Sequence, residues 1–149
     1  MTAVARWLSK AAYAPRAALD LWAADRTAPL VIGRRWDLVR VDFTRATSAI
    51  SRLKAGGDHI GPYLMGGMEH AMWWPVPLGT GYRVAGSDGV TLCAVGGEIP
   101  APPPGRYLGD RVWVLPGHGD ERWRTLTSAD ELHDALGAHH PQAVAPSGR

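Results

Sequence analysis

The sequence predicts an α+β fold, and three features carry that expectation. Helical apolar stripes recur near both ends and in the first half. One segment alternates as a half-buried strand. After Gly57 the chain breaks into short apolar runs cut by Gly and Pro. The expected architecture is a small, mostly antiparallel or mixed sheet with short helices packed on one side. The 149 residues suit one domain, assigned to residues 1–138, with residues 139–149 expected to form a disordered tail.

Each element has a local reason. Val4, Trp7, Leu8 and Ala11 stand at i, i+3, i+4 and i+7, a helical stripe. Pro15 suits the first turn of a second helix, with Ala18, Leu19 and Trp22 on its inner face. Pro29 to Gly33 reads as a connector or edge strand. From Trp36 to Phe43, Val39, Val41 and Phe43 alternate with Arg40 and Asp42, as in a half-buried strand. Thr44 is expected to cap the next helix, whose stripe is Ala46, Ala49, Ile50 and Leu53 and which Gly56-Gly57 end. Apolar runs follow from Gly61 to Met65 and from His70 to Val76. Pro77 to Gly81 is a loop and Tyr82 to Ala85 a short strand. Gly86-Ser87-Asp88-Gly89 reads as a tight turn into a strand from Val90 to Val95. The run Ala101-Pro102-Pro103-Pro104-Gly105 is excluded from a ladder, because proline lacks the donor. Arg111 to Leu115 is the last strand, with Trp113 inward. Ser128-Ala129-Asp130-Glu131 is a capping-box pattern, opening a helix through Leu136 that Gly137 closes.

Composition narrows the class. Apolar residues make up 46% and charged residues 20%, which suits a globular chain. Seven Trp against one Phe give the core its bulk, and each buried indole N–H wants an acceptor. No window reads as a membrane span, so no membrane partner is expected. Arg6 and Lys10 interrupt the N-terminal apolar stretch, which therefore reads as a helix and not a signal peptide. The single Cys93 excludes an internal disulfide and fits a reducing, cytoplasmic setting. Net charge is +2 but uneven. Residues 1–54 hold ten Arg and Lys against four Asp and Glu, while residues 55–149 hold six against ten. Such asymmetry marks either a face for a polyanion or a solvated helical surface.

Catalytic motifs fail one by one. Gly56-Gly57, Gly66-Gly67 and Gly96-Gly97 lack the context of a phosphate-binding loop and read as turns. One Cys and six scattered His do not form a zinc set, so no metal or other cofactor is expected. Cys93, between Leu92 and Val95, reads as a small hydrophobe, and Ser87 as a turn residue. Positions on one strand face differ by an even number, so Asp37 and Asp42 point to opposite faces and cannot share a divalent ion. Trp73 and Trp74 also point to opposite faces. One is expected in the core, and the other is free to act as a stacking platform.

Four segments together resemble the N-terminal domain of bifunctional DNA primase/polymerases, the Prim-Pol family, and more closely its compact, degenerate actinobacterial members. They are Gly33 to Val41, Gly61 to Leu64, Met72 to Thr80 and Gly89 to Pro104. The resemblance implies an acidic pair on one strand, a histidine at the start of a later strand and a third acid, with the carboxylates holding divalent metals. Of these, His70 matches the histidine. The strand Trp36 to Phe43 has no Asp-x-Asp or Asp-x-Glu, and Thr91 stands where the third acid belongs. The resemblance therefore implies the shell of the fold without its catalytic residues.

The expected function is a non-catalytic Prim-Pol-like protein that binds single-stranded nucleic acid or a nucleotide, or regulates. Its candidate surface is Arg34, Arg35, Arg40, Arg45, Arg52 and Lys54, with His70 and one of Trp73 or Trp74. The alternative is a protein-protein interaction module, an accessory or regulatory subunit of a cellular or phage-derived assembly. The Trp content and the Pro-rich loop at 100–105 motivate it. A third reading is a primase or polymerase with displaced ligands.

Overall fold

Two short helices open the chain, α1 (Ala3–Ser9) and α2 (Pro15–Ala23), in a computed structural model that describes residues 2–116 and 122–137. The tail expected at 139–149 lies outside the described residues. Thr2 caps α1 by accepting the Ala5 N–H at 3.1 Å, and Pro15 occupies the first turn of α2. Then come β1 (Ala28–Val31), β2 (Asp37–Asp42), α3 (Phe43–Ala55), β3 (Tyr63–Gly66) and β4 (Ala71–Val76). They are followed by β5 (Val90–Leu92), β6 (Glu98–Ala101), β7 (Arg111–Val114) and α4 (Ala129–Gly137).

The strands form a five-stranded sheet in the order β5-β2-β4-β3-β7 and a two-stranded sheet of β1 and β6, with every pairing antiparallel. The α+β class is as expected. Side-chain alternation sorts the large sheet into two cores. Val39, Val41, Met72, Trp74 and Val76 pack with Ala46, Ala49 and Leu53 of α3 and Leu132 and Leu136 of α4. On the other face, Leu38, Leu64, Trp73 and Trp113 pack with Leu8, Trp22, Leu30 and Ile99. Short helices on one side thus describes α3 and α4 alone. The pair α1 and α2, with the small sheet, close the opposite face. The cause lies in β4, which is buried at every position and so needs cover on both faces.

Several local expectations are corrected. Thr44 does not cap α3: β2 runs straight into the helix, and the Phe43 N–H donates to the His70 carbonyl at 2.8 Å. The segment at Tyr82 is a 3-10 turn, Gly81–Arg83, and not a strand. The Gly81 N–H donates to Asp37 Oδ2 at 2.9 Å, and a side chain at Gly81 would collide with Leu92 and Asp37. Strand β5 stops at Leu92, and Val95 is exposed, lying over Gly33. Ala101 does join a ladder, opposite Ala28, and Pro100 faces Pro29. Both strands of that sheet are edges, so the missing donors are tolerated. The ladder ends where the run Pro102-Pro103-Pro104 begins. At the last helix Ser128 Oγ accepts the Glu131 N–H at 3.2 Å, as the capping pattern predicts.

Candidate functional site

The two carboxylates of β2 are kept apart. Asp37 is buried at one end of the strand, held by Gly81, while Asp42 is exposed at the other end. In the ladder Thr91 faces Arg40, and Arg40 faces Trp73. An arginine therefore occupies the sheet position beside Thr91, where a metal-binding face would need negative charge, and its guanidinium turns toward Trp73 and the Glu69 carbonyl. Among the described residues no group of three or more His, Cys, Asp or Glu gathers as a metal site would require.

His70 sits one residue before β4 with a left-handed φ of 52°. Its N–H donates to the Gly67 carbonyl at 3.2 Å and its own carbonyl accepts from Phe43, so its backbone closes a turn while its side chain is exposed. Trp73 and Trp74 do point to opposite faces, but both are buried, which corrects the expectation of an exposed stacking platform. The Arg111 guanidinium lies 4.7 Å from the Trp73 ring centroid and that of Arg40 lies 5.9 Å away. Arg111 also pairs with Glu69 at 2.8 Å and donates to the Pro100 carbonyl at 2.8 Å. Gly66 makes room for this indole, since a Cβ there would stand 2.7 Å from it. Trp74 stacks on Tyr63 at 4.8 Å, and burial raises the Tyr63 pKa. Arg40 and the two tryptophans thus belong to the packing of the sheet.

Helix α3 divides its cations. Arg45 donates to the Asp88 carbonyl and, at 3.3 Å, to that of Leu136, so it ties α3 to the β5 turn and to α4. Arg52 is half-buried beside Ser48, Ser51 and Ala55, and it has bonding partners of its own. Lys54 is exposed at the end of the helix.

The remaining candidates meet residues that had no expected binding role. Arg34 lies over the Tyr13 ring at 5.7 Å. Arg35 lines a cleft of about 280 Å³ with Trp7, Lys10, Trp36, Arg124 and Leu126. Trp7 meets Trp123 edge to face at 5.7 Å, which docks the 3-10 turn Arg122–Arg124 against α1. A second cleft, of about 160 Å³, holds Lys54, Asp58, His59, Ile60, Pro116 and Arg122. The Arg122–Arg124 turn is a wall of both. It is fixed from behind: His59 Nε2 contacts the Thr125 carbonyl at 2.7 Å, and the Gly61 N–H donates to buried Thr127 Oγ1 at 2.8 Å. Four separated stretches of chain thereby bring Lys10, Arg35, Lys54, Arg122 and Arg124 to the two clefts that share this turn, and Arg34 adjoins Arg35 in sequence. Trp7, Lys10, Arg122 and Arg124 carried no binding signal in the sequence, because only tertiary docking brings Trp7, Lys10 and Arg124 beside Arg35, and Arg122 beside Lys54.

Comparison with protein-family models, with curated proteins and with solved structures finds no match to this chain.

Proposed function

We propose that this chain is a non-catalytic binding protein, built on a Prim-Pol-like frame, whose basic edge takes single-stranded nucleic acid. The observation that carries this reading is the gathering of five cationic residues, Lys10, Arg35, Lys54, Arg122 and Arg124, in the two clefts that share the Arg122–Arg124 turn, with the indole of Trp7 among them. Phosphates supply the matching charge, and an aromatic ring accepts any base. The separation of Asp37 from Asp42, with Arg40 between them in sequence and directed to the Asp42 face, favours binding over metal-assisted catalysis. The single Cys93 is consistent with a cytoplasmic setting, and no described helix is long and apolar enough to cross a membrane. Fluorescence anisotropy with a labelled single-stranded oligonucleotide tests the reading. Binding should weaken steeply with salt, and it should fall on neutralising Arg34, Arg35 and Lys54 but not Arg45.

A second reading, a protein-interaction module, is favoured by one surface. Leu19, Trp22, Ala23, Pro103 and Pro104 line a largely apolar groove of about 350 Å³ between the first two helices and the proline run. Capture of one defined protein partner after nuclease treatment, with no nucleic acid retained, would favour this reading over the first.

A further inference from the structure

The cleft of about 280 Å³ has a composition that a plain solvated surface does not need. Lys10 comes from the C-cap of α1, Arg35 from the turn between β1 and β2, and Arg124 from the 3-10 turn after β7. Among the described residues, none that lines it is acidic. Lys10 and Arg35 are exposed at its rim, while Trp36 forms a buried part of its wall. Trp7 is partly buried, and its edge-to-face contact with Trp123 fixes the ring. Converging cations from separate elements suit a multiply charged anion, and a guanidinium suits phosphate oxygens in a paired geometry. An indole beside them suits the flat face of a base, because stacking does not depend on base identity. The volume lies near the lower end of small-ligand sites, about 300 Å³.

We infer that this cleft binds a nucleoside monophosphate group, with the phosphate held by Lys10 and Arg35 and the base laid against Trp7. The inference rests on the reading that the basic edge takes nucleic acid, and it names the part of that ligand the cleft recognises. The same group occurs in a free nucleotide and at the phosphorylated end of a single strand.

Calorimetric titration of the full chain with AMP, adenosine and inorganic phosphate tests it. AMP should bind more tightly than either fragment. Lys10→Ala and Arg35→Ala should each weaken AMP binding by about tenfold or more, the loss expected for a charge-assisted hydrogen bond. Arg16→Ala removes an exposed charge on α2, away from the cleft, and should change nothing. Arg35→Lys should recover part of the loss, which separates a charge effect from misfolding. Absence of AMP binding, or AMP binding unaffected by Lys10→Ala and Arg35→Ala, overturns the inference. Oligonucleotides with and without a 5′-phosphate identify the source. A phosphate-dependent gain that Arg35→Ala removes assigns the strand end, and an AMP response without that gain assigns the free nucleotide. Salt-sensitive strand binding without AMP binding removes this inference and leaves the proposed function standing, whereas AMP binding without strand binding does the reverse.

Discussion

Gly61→Ala is expected to unseat the turn on which the basic edge depends. A methyl group at this position would stand 2.5 Å from the Thr125 carbonyl oxygen, 2.8 Å from the Thr127 nitrogen and 2.9 Å from the Leu126 Cα. All three atoms are backbone, so no side chain can rotate away and the segment itself must move. Overpacking of this kind costs about 1–3 kcal/mol. The bond from the Gly61 N–H to buried Thr127 Oγ1 is stretched at the same time, which adds about 1 kcal/mol. A total of about 2–4 kcal/mol lowers the melting temperature of a chain this size by roughly 4–16 °C. Urea and thermal melts followed by circular dichroism measure it. Gly137→Ala is the control, since a Cβ there meets nothing within 4 Å. Binding of single strands should fall along with stability, because Arg122 and Arg124 move with the segment. A Gly61→Ala protein that melts with the wild type would refute the reasoning.

Arg45→Ala removes two carbonyl contacts that tie α3 to Asp88 and Leu136, and it should cost about 1–2 kcal/mol in a urea melt while leaving strand binding intact. A loss of binding without a loss of stability would return Arg45 to the ligand surface. Arg111→Ala deletes the Glu69 pair, the Pro100 contact and the cation over Trp73, and should cost about 2 kcal/mol by the same melt. Burial pushes the Cys93 thiol pKa above its ordinary value, so the folded chain holds that proton to higher pH than the unfolded chain does. Its contribution to stability is present below the unfolded thiol pKa and is lost as pH rises through the folded value. Alkylation at pH 8 should therefore be slower in the native chain than in urea, and equal rates would contradict it. A primer-synthesis assay with Mg²⁺ or Mn²⁺ should give no product, and product formation would revive the reading of displaced ligands.

Elements whose cause is local were legible in the sequence. The stripe of α3, the proline at the start of α2, the alternation of β2 and the cap at Ser128 all act within a turn or two of chain. The opposite directions of Asp37 and Asp42 were legible for the same reason, since strand parity needs no tertiary information. Features that depend on distant contacts were not. The Tyr82 region reads as a strand until the Asp37 carboxylate, from another part of the chain, captures the Gly81 N–H. One of Trp73 and Trp74 reads as free to be exposed, but both are buried: Arg111 from β7 lies over Trp73, and α1 and α2 pack on its face of the sheet. The basic edge shows the limit most clearly. Arg34, Arg35 and Lys54 stood out as part of a charge-rich first half. Lys10 joins them from the end of α1, and Arg122 and Arg124 from a turn that Gly61 seats by letting residues 125–127 approach its backbone. Arg40 and Arg45 carried the same sequence signal as Arg35, and the fold uses them internally.

The most direct test of the binding reading is the salt dependence of single-strand affinity for the wild type and for a variant carrying Arg34→Ala, Arg35→Ala and Lys54→Ala. With three or four phosphates engaged, the slope of log affinity against log salt should be about −2 to −3. Affinity should then fall roughly 15- to 60-fold between 50 and 200 mM salt. The triple variant should bind more weakly and with a shallower slope. Binding that ignores salt, or a triple variant whose affinity and slope match the wild type, would contradict the assignment of the basic edge.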